Sequence, residues 1–315
     1  MQASPPRNVP SPLVHPLDDN RRVVGLIAAV TQEPSAVVAE QLWQEEHDLG
    51  KYHREEFRRR GLAPHAWGEG LERYYREVSA WLPAYVVWNR RPEKLQMRTW
   101  MGRYLSREAS SRLRVLTIGD GAGFDSLYLA QCGHDVTYFE VSAHAVDFAR
   151  RLFDLSQQTI QVVRDTSAIP AEHYDAVVCL DVLEHVPDPR VLVAEMTGFL
   201  RPGGQLIVHA PFFLVNEDCP THLECNRKYS GDLRRLYRSQ GLRPVDARFF
   251  WNPLVLEKLS PQAAPRQRNW IRLLRLHLAG LLLAVGRVWP WPHNWVANRT
   301  RRCGDPRWRV RTGTL

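Results

Sequence analysis

Cysteine is scarce in this chain: Cys132, Cys179, Cys219, Cys225 and Cys303 are the only five among 315 residues. Their odd number and wide spacing exclude a disulfide scaffold and point to a reducing compartment. Long apolar runs are missing as well. The stretch Val23 to Val30 behind Arg21-Arg22 is short and no small-residue cleavage site closes it, so no secretory leader is expected and the chain reads as cytoplasmic. Near the C-terminus the uncharged run from Leu276 to Gly286 is bounded by Arg275 and Arg287, too short to span a bilayer. Internal repeats at solenoid periods are absent too.

Acids are nearly missing from one region. Residues 262–315 hold 11 arginines and a single acid, Asp305, a net +10, whereas residues 1–261 balance 31 basic against 33 acidic residues, a net −2. The total of +8 is therefore a property of the tail, and a nearly neutral body argues against a long nucleic-acid channel. Hydrophobic residues at 44% and charged residues at 24% leave enough apolar mass for a sizeable core.

Four stretches differ in character. Residues 1–34 open with Pro5, Pro6, Pro10, Pro12 and Pro16, a density that blocks regular structure and predicts a flexible segment. Residues 35–104 read as helical, with Trp67, Tyr74, Tyr75, Trp81 and Trp88 among charged runs such as HREEFRRR. Residues 105–261 alternate short β-branched runs (VLTIG, VTYFEV, IQVVR, AVVCLD, QLIVHA, VDARFF, LVLEKL) with helical spacing, the pattern of a parallel sheet with crossover helices. Residues 262–315 form the basic, amphipathic tail.

The chemistry-bearing residues fall at strand ends. VLTIG runs into Gly119-Asp120-Gly121-Ala122-Gly123 just before a helix, a turn at which a ligand can approach the backbone and meet free N–H groups. The second strand ends in Glu140, placed to accept ribose hydroxyls. The third and fourth end in Asp165 and Asp181. Phe124 stands where a dinucleotide fingerprint needs its third glycine, which ranks an NAD-binding protein well below.

With the segment LEHVPDP after the fourth strand and LRPGG before the fifth, the chain resembles the class I S-adenosylmethionine-dependent methyltransferases, specifically their small-molecule branch (type 11, UbiE-like). The resemblance runs from about Arg114 to Leu259. It implies a Rossmann-like α/β fold with a seven-stranded, mostly parallel sheet, helices on both faces and the last strand antiparallel. It further implies S-adenosylmethionine as cofactor, with its methionine part on Gly119, Asp120, Gly121 and Gly123, its ribose on Glu140 and its adenine beside Asp165; Asp181 completes the strand-end set. The helical region 35–104 becomes the lid over the acceptor. One departure stands out: relatives usually carry an acid two residues before the first glycine, and Thr117 is there, with Asp120 as the candidate substitute.

Methyl transfer from a sulfonium needs alignment more than side-chain chemistry. A hydroxyl acceptor needs a base, for which His185 is the first candidate and His222 the second. Each has a plainer reading, His185 as a loop-fixing hydrogen-bonder and His222 as a surface residue, while His209 reads as core. Cys219-x-x-His222-x-x-Cys225 offers three ligands, one short of a zinc site, so no metal is expected. The expected activity is methylation, at oxygen, of a small-molecule or lipid-linked acceptor; the alternative is a non-catalytic binding or scaffold protein on a degenerate methyltransferase fold. In the tail, Arg268, Arg272 and Arg275 share a helical face beside a leucine-rich one. Residues 268–289 therefore read either as a peripheral membrane contact or as a helix packed on the core.

Overall fold

The β-branched runs between Arg114 and Lys258 pair into one sheet. In the computed structural model, which describes residues 9–108, 112–260 and 270–301, the strands are β1 (Arg114–Ile118), β2 (Asp135–Phe139), β3 (Gln161–Val163), β4 (Tyr174–Leu180), β5 (Leu200–His209), β6 (Leu242–Ala247) and β7 (Leu254–Lys258). Their order is β3-β2-β1-β4-β5-β7-β6. The first five are parallel and β7 runs antiparallel to both β5 and β6. All seven expected strands form, and the fold class is the one the resemblance implies. Strand order reverses between β1 and β4, the switch point at whose carboxyl ends sheets of this kind place their ligand crevice.

Side-chain alternation divides the core in two. On β1, Val115 faces one layer, while Leu116 and Ile118 face the other; on β4, Ala176 and Val178 oppose Val177 and Cys179. The first layer is covered by α1 (Asn20–Thr31), α2 (Ser35–His47), α5 (Trp81–Arg90), α6 (Pro92–Glu108), α7 (Phe124–Gln131) and α8 (Ala143–Leu155), while α3 (Lys51–Arg59) and α4 (Glu69–Glu77) bury Phe57, Leu71 and Tyr74 in a smaller cluster with Leu223. The second is covered by α9 (Pro189–Phe199), α10 (Leu233–Leu236) and α11 (Trp270–Val288), and α12 (Trp291–Arg301) follows. Helix starts follow ordinary capping chemistry: Asp19, Ser142 and Asp188 accept backbone N–H groups at the heads of α1, α8 and α9, and Pro189 opens α9.

One expectation is corrected at the N-terminus. Residues 1–34 were expected to be flexible, yet Val14, Leu17, Val23, Val24 and Ile27 are buried. Val23, Val24, Ile27 and Val30 recur at helical spacing and give α1 an apolar face; that face packs on the first layer, beside α8. Its amino end is fixed by Arg90, whose guanidinium donates to Leu17 O at 2.8 Å and Asn20 Oδ1 at 2.8 Å.

Candidate active site

The loop after β1 is built from its backbone. Gly119 and Gly121 take left-handed φ values of 68° and 58°, which side-chain-bearing residues rarely adopt. A Cβ on Gly119 would lie 2.5 Å from Val182 Cγ2, and one on Gly121 would lie 3.0 Å from the Tyr85 ring. The two glycines are thus required both for the turn and for close approach of neighbouring groups.

Glu140, just past β2, is tied to that loop. One carboxylate oxygen accepts the Gly121 N–H at 3.0 Å; the other accepts those of Val141 at 2.8 Å and Ser142 at 3.0 Å. Burial pushes its carboxyl above the ordinary value while these three donors pull it back. Asp165 is exposed beyond β3 and accepts the Ser167 N–H at 2.9 Å.

The other two acids point elsewhere. Asp120 turns back on α7, accepting Asp125 N at 3.2 Å, Ser126 N at 2.7 Å and Ser126 Oγ at 2.5 Å. It satisfies the open N–H groups of a helix start and does not stand in for the acid missing at Thr117, whose own hydroxyl bonds Ser126 Oγ at 2.7 Å. Burial, then the neighbouring Asp125, pushes the Asp120 carboxyl up to about 7. Asp181, at a left-handed φ of 60°, holds His209 Nδ1 at 2.6 Å and Trp88 Nε1 at 3.2 Å, with Lys94 at 3.7 Å. Burial opposes its ionisation, but His209 and Lys94 hold the carboxyl well below the usual carboxylate range. His209 is therefore part of a polar network and not simply packed core.

Beneath the loop lies a cluster that the sequence does not reveal. Lys94 and Arg98 of α6 reach Asp125 of α7 at 2.8 Å and 2.9 Å, and all three are buried. The cluster ties the N-terminal helices to the helix that begins at the glycine loop. Lys94 gives no sign of this in sequence, because a lysine in a charged helix reads as solvated and its partner lies far along the chain.

The histidine side of the crevice is denser than expected. His185 and His222 lie ring-perpendicular with centroids 4.6 Å apart, and His222 is buried, which corrects its reading as a surface residue. The turn carrying His185 is clamped by buried Asn226, whose amide donates to Val186 O at 2.7 Å and Leu183 O at 3.3 Å. His185 Nδ1 meets Thr221 O at 3.2 Å and Tyr75 Oη at 3.1 Å. Glu184, 1% exposed, has neither carboxylate oxygen hydrogen-bonded to another residue among the described ones; His185 Nε2 lies 3.9 Å from Oε1. Burial and then Asp181 push its carboxyl well above the ordinary value. Ligand atoms of Glu184, His185 and His222 all lie within 4.8 Å of one another, close enough to hold one ion between them. Of the Cys-x-x-His-x-x-Cys triplet only His222 belongs to this group.

The helices of residues 35–104, where a lid is expected, carry a run of aromatic faces. Trp67, Tyr75, Trp81 and Tyr85 stack in series at centroid distances of 6.4, 5.8 and 6.0 Å. That series reaches from His185, which Tyr75 touches, to Gly121, which Tyr85 covers.

Residues 116–208 match the methyltransferase domain family. The strands β1 to β5 and the helices between them lie in the segment that is similar to this family. Within it, the ubiquinone biosynthesis O-methyltransferase of Xanthomonas axonopodis pv. citri (strain 306) is 37% identical over 100 residues, covering 30% of this chain and 41% of that protein. The enzyme of the same name from Aromatoleum aromaticum is 36% identical over 114 residues, 35% of this chain and 47% of that one. The chain thus spans less than half the length of these curated relatives. Among solved structures, phosphoethanolamine N-methyltransferase 2 of Haemonchus contortus in complex with S-adenosyl-L-methionine aligns over 36% of this chain and 27% of its own at 21% identity and a TM-score of 0.33. The YcgJ protein of Bacillus subtilis aligns over 49% and 70% at 16% identity and a TM-score of 0.41.

The residues at the strand ends fit an adenosyl cofactor at two points. Glu140 is a carboxylate at the end of β2 tethered to the glycine loop, and Asp165 is an exposed acceptor at the end of β3. The Tyr85 ring lies over Gly121 and has to share that space with whatever the loop holds.

Proposed function

We propose that this protein transfers a methyl group from S-adenosylmethionine to a hydroxyl of a small-molecule or lipid-linked acceptor. The observation that carries the reading is the tie from Glu140 to the Gly121 N–H, which sets a ribose-type acceptor and a phosphate- or carboxylate-type donor loop side by side at the sheet's switch point. The O-methyltransferase names of the curated relatives support oxygen as the acceptor atom.

The cofactor supplies an activated methyl on a sulfonium, so this chain's task is to hold, orient and dehydrate. Glu140 would take the ribose hydroxyls, the backbone of Gly119 to Gly123 the methionine part, and Asp165 the adenine. Tyr75, Trp81 and Tyr85 exclude water from the crevice. His185 is the base: in the tautomer whose Nδ1–H donates to the Thr221 carbonyl, the basic lone pair belongs to Nε2. His222, buried against the same ring, supports that orientation and is the second candidate.

Calorimetric titration of the full chain with S-adenosylmethionine and with its demethylated product tests the reading, with Glu140→Ala alongside. Micromolar binding by the wild type and a loss of roughly a hundredfold in the variant, the worth of two charge-assisted hydrogen bonds, is the expected result. A folded wild type that binds neither compound favours the second reading, a non-catalytic binding protein on this fold. The Tyr85 ring over the loop and Thr117 in place of an acid are the observations on that side.

A further inference from the structure

We infer that α11 and α12 form a hairpin that seats the protein on an anionic lipid surface, a role independent of the cofactor reading. The helix α11 has two faces of different kind. One docks: Leu276, Ala279 and Leu283 are buried, Trp251 Nε1 donates to Leu276 O at 3.1 Å, and Ser230 Oγ donates to Leu283 O at 2.7 Å. Arg272 and Arg275 hold the same side down through buried Asp246, at 3.6 Å and 2.8 Å. These two arginines therefore anchor the helix to β6 and do not form a headgroup-binding face of their own; Arg268 lies outside the described residues.

The opposite face is apolar and uncovered. Trp270, Ile271, Leu274, Leu278, Leu281 and Val285 are 41–70% exposed, and Val288 and Trp289 extend the row to 82% and 61%. At about 100° per residue their positions fall within one stripe roughly 120° wide, and at about 1.5 Å per residue α11 is nearly 30 Å long. No charged side chain interrupts that stripe. Tryptophans mark both of its ends, and α12 adds exposed Trp291 and Trp295, with Arg299 over the Trp295 ring at 5.4 Å. His293 Nε2 meets Leu282 O at 3.1 Å, which folds α12 back on α11.

Charge selects the occupant. With 11 arginines and one acid in residues 262–315, a second copy docked on this face would bring two strongly basic tails together, whereas anionic headgroups complement them. Amphipathic tryptophan at the ends and aliphatic side chains between them is the composition that lies in a bilayer interface. No single described helix is long and apolar enough to cross a membrane, which agrees with a helix lying along the surface.

Co-sedimentation of the full chain with vesicles of phosphatidylglycerol in phosphatidylcholine, and of phosphatidylcholine alone, tests the inference beside the variant Leu278→Glu/Leu281→Glu/Val285→Glu. All three positions are exposed, so the variant should keep the wild-type melting temperature and cofactor affinity. The expected result is binding that prefers the anionic vesicles, weakens with salt, and falls by about tenfold or more in the variant. Wild type that ignores anionic vesicles, or a folded variant that binds them equally, overturns the inference. So does a wild-type dimer that the variant abolishes in analytical ultracentrifugation, which would assign the face to a second copy. None of these three outcomes touches the cofactor titration, so the two readings fail separately.

Discussion

Glu140 and Glu184 are buried almost alike, 7% and 1% exposed, on the two sides of one crevice, yet their surroundings are opposite. Glu140 accepts three backbone N–H groups; Glu184 accepts none from another residue among the described ones. A carboxylate so provided is a fixed part of the loop, because its donors offset part of the cost of ionising it and moving it strands all three. One without donors has capacity left over, and burial drives it to hold a proton or to wait for a cation. The loop side of the crevice is thus pre-organised by its backbone, while the histidine side carries the groups able to exchange a proton. The division proposed above between holding a cofactor and handling an acceptor falls along the same line.

The sharpest way to break this comparison is His185→Ala. Loss of a general base predicts methyl transfer slower by roughly 10²- to 10⁴-fold, with the calorimetric affinity for S-adenosylmethionine unchanged. Single-turnover transfer of labelled methyl to an acceptor from a screen of hydroxyl compounds gives the first quantity. An affinity that falls while the rate holds would mean that the two sides are not separate. Next in size is Asp125→Ala. It leaves Lys94 and Arg98 buried without their shared carboxylate, and stranding buried charge of this kind costs about 3–5 kcal/mol. Urea unfolding of the variant measures it. A cost below about 1 kcal/mol would show that this cluster does not join the N-terminal helices to the loop helix.

The two sides also differ in how far the sequence discloses them. The strands from VLTIG to LVLEKL, the glycine turn and Glu140 are legible because each is local: a β-branched run, then a turn residue or an acid closing it. On the histidine side His185 is legible from its motif, but the buried state of His222 is not. It depends on Tyr75, Asn226 and the segment around His65, whose ring nitrogen bonds His222 O at 3.0 Å across 157 positions. Lys94 and Arg98 stay hidden for the same reason. The helix α1 escapes differently. Val23, Val24, Ile27 and Val30 have helical spacing, but prolines before them and two arginines at their head draw attention to disorder and leaders first. Asp120 shows the reverse error, since an acid inside a glycine loop invites a ligand role that the N-terminus of α7 claims instead.

The smallest effects give the finest test, a pair of matched substitutions. Glu140→Gln puts an amide NH₂ where a carboxylate oxygen accepts backbone donors, and about 1–3 kcal/mol of stability should go with it. Glu184→Gln keeps the shape of a side chain that burial already holds toward its neutral form, and should cost less than about 1 kcal/mol at neutral pH. The pH dependence carries the sign. Because the folded-state pKa of Glu184 is raised above its ordinary 4.5, the folded chain keeps that proton longer than the unfolded one. Its contribution is whole below pH 4.5 and is lost as pH rises toward the raised value. Wild-type melting temperature should therefore carry a downward component above pH 4.5 that Glu184→Gln removes. Glu140→Gln should alter the slope less, since three N–H groups offset the burial of Glu140. The opposite order, a costly Glu184→Gln with an unchanged slope, would mean that Glu184 is ionised and paired in the folded protein. The histidine side would then be as tightly tied as the loop.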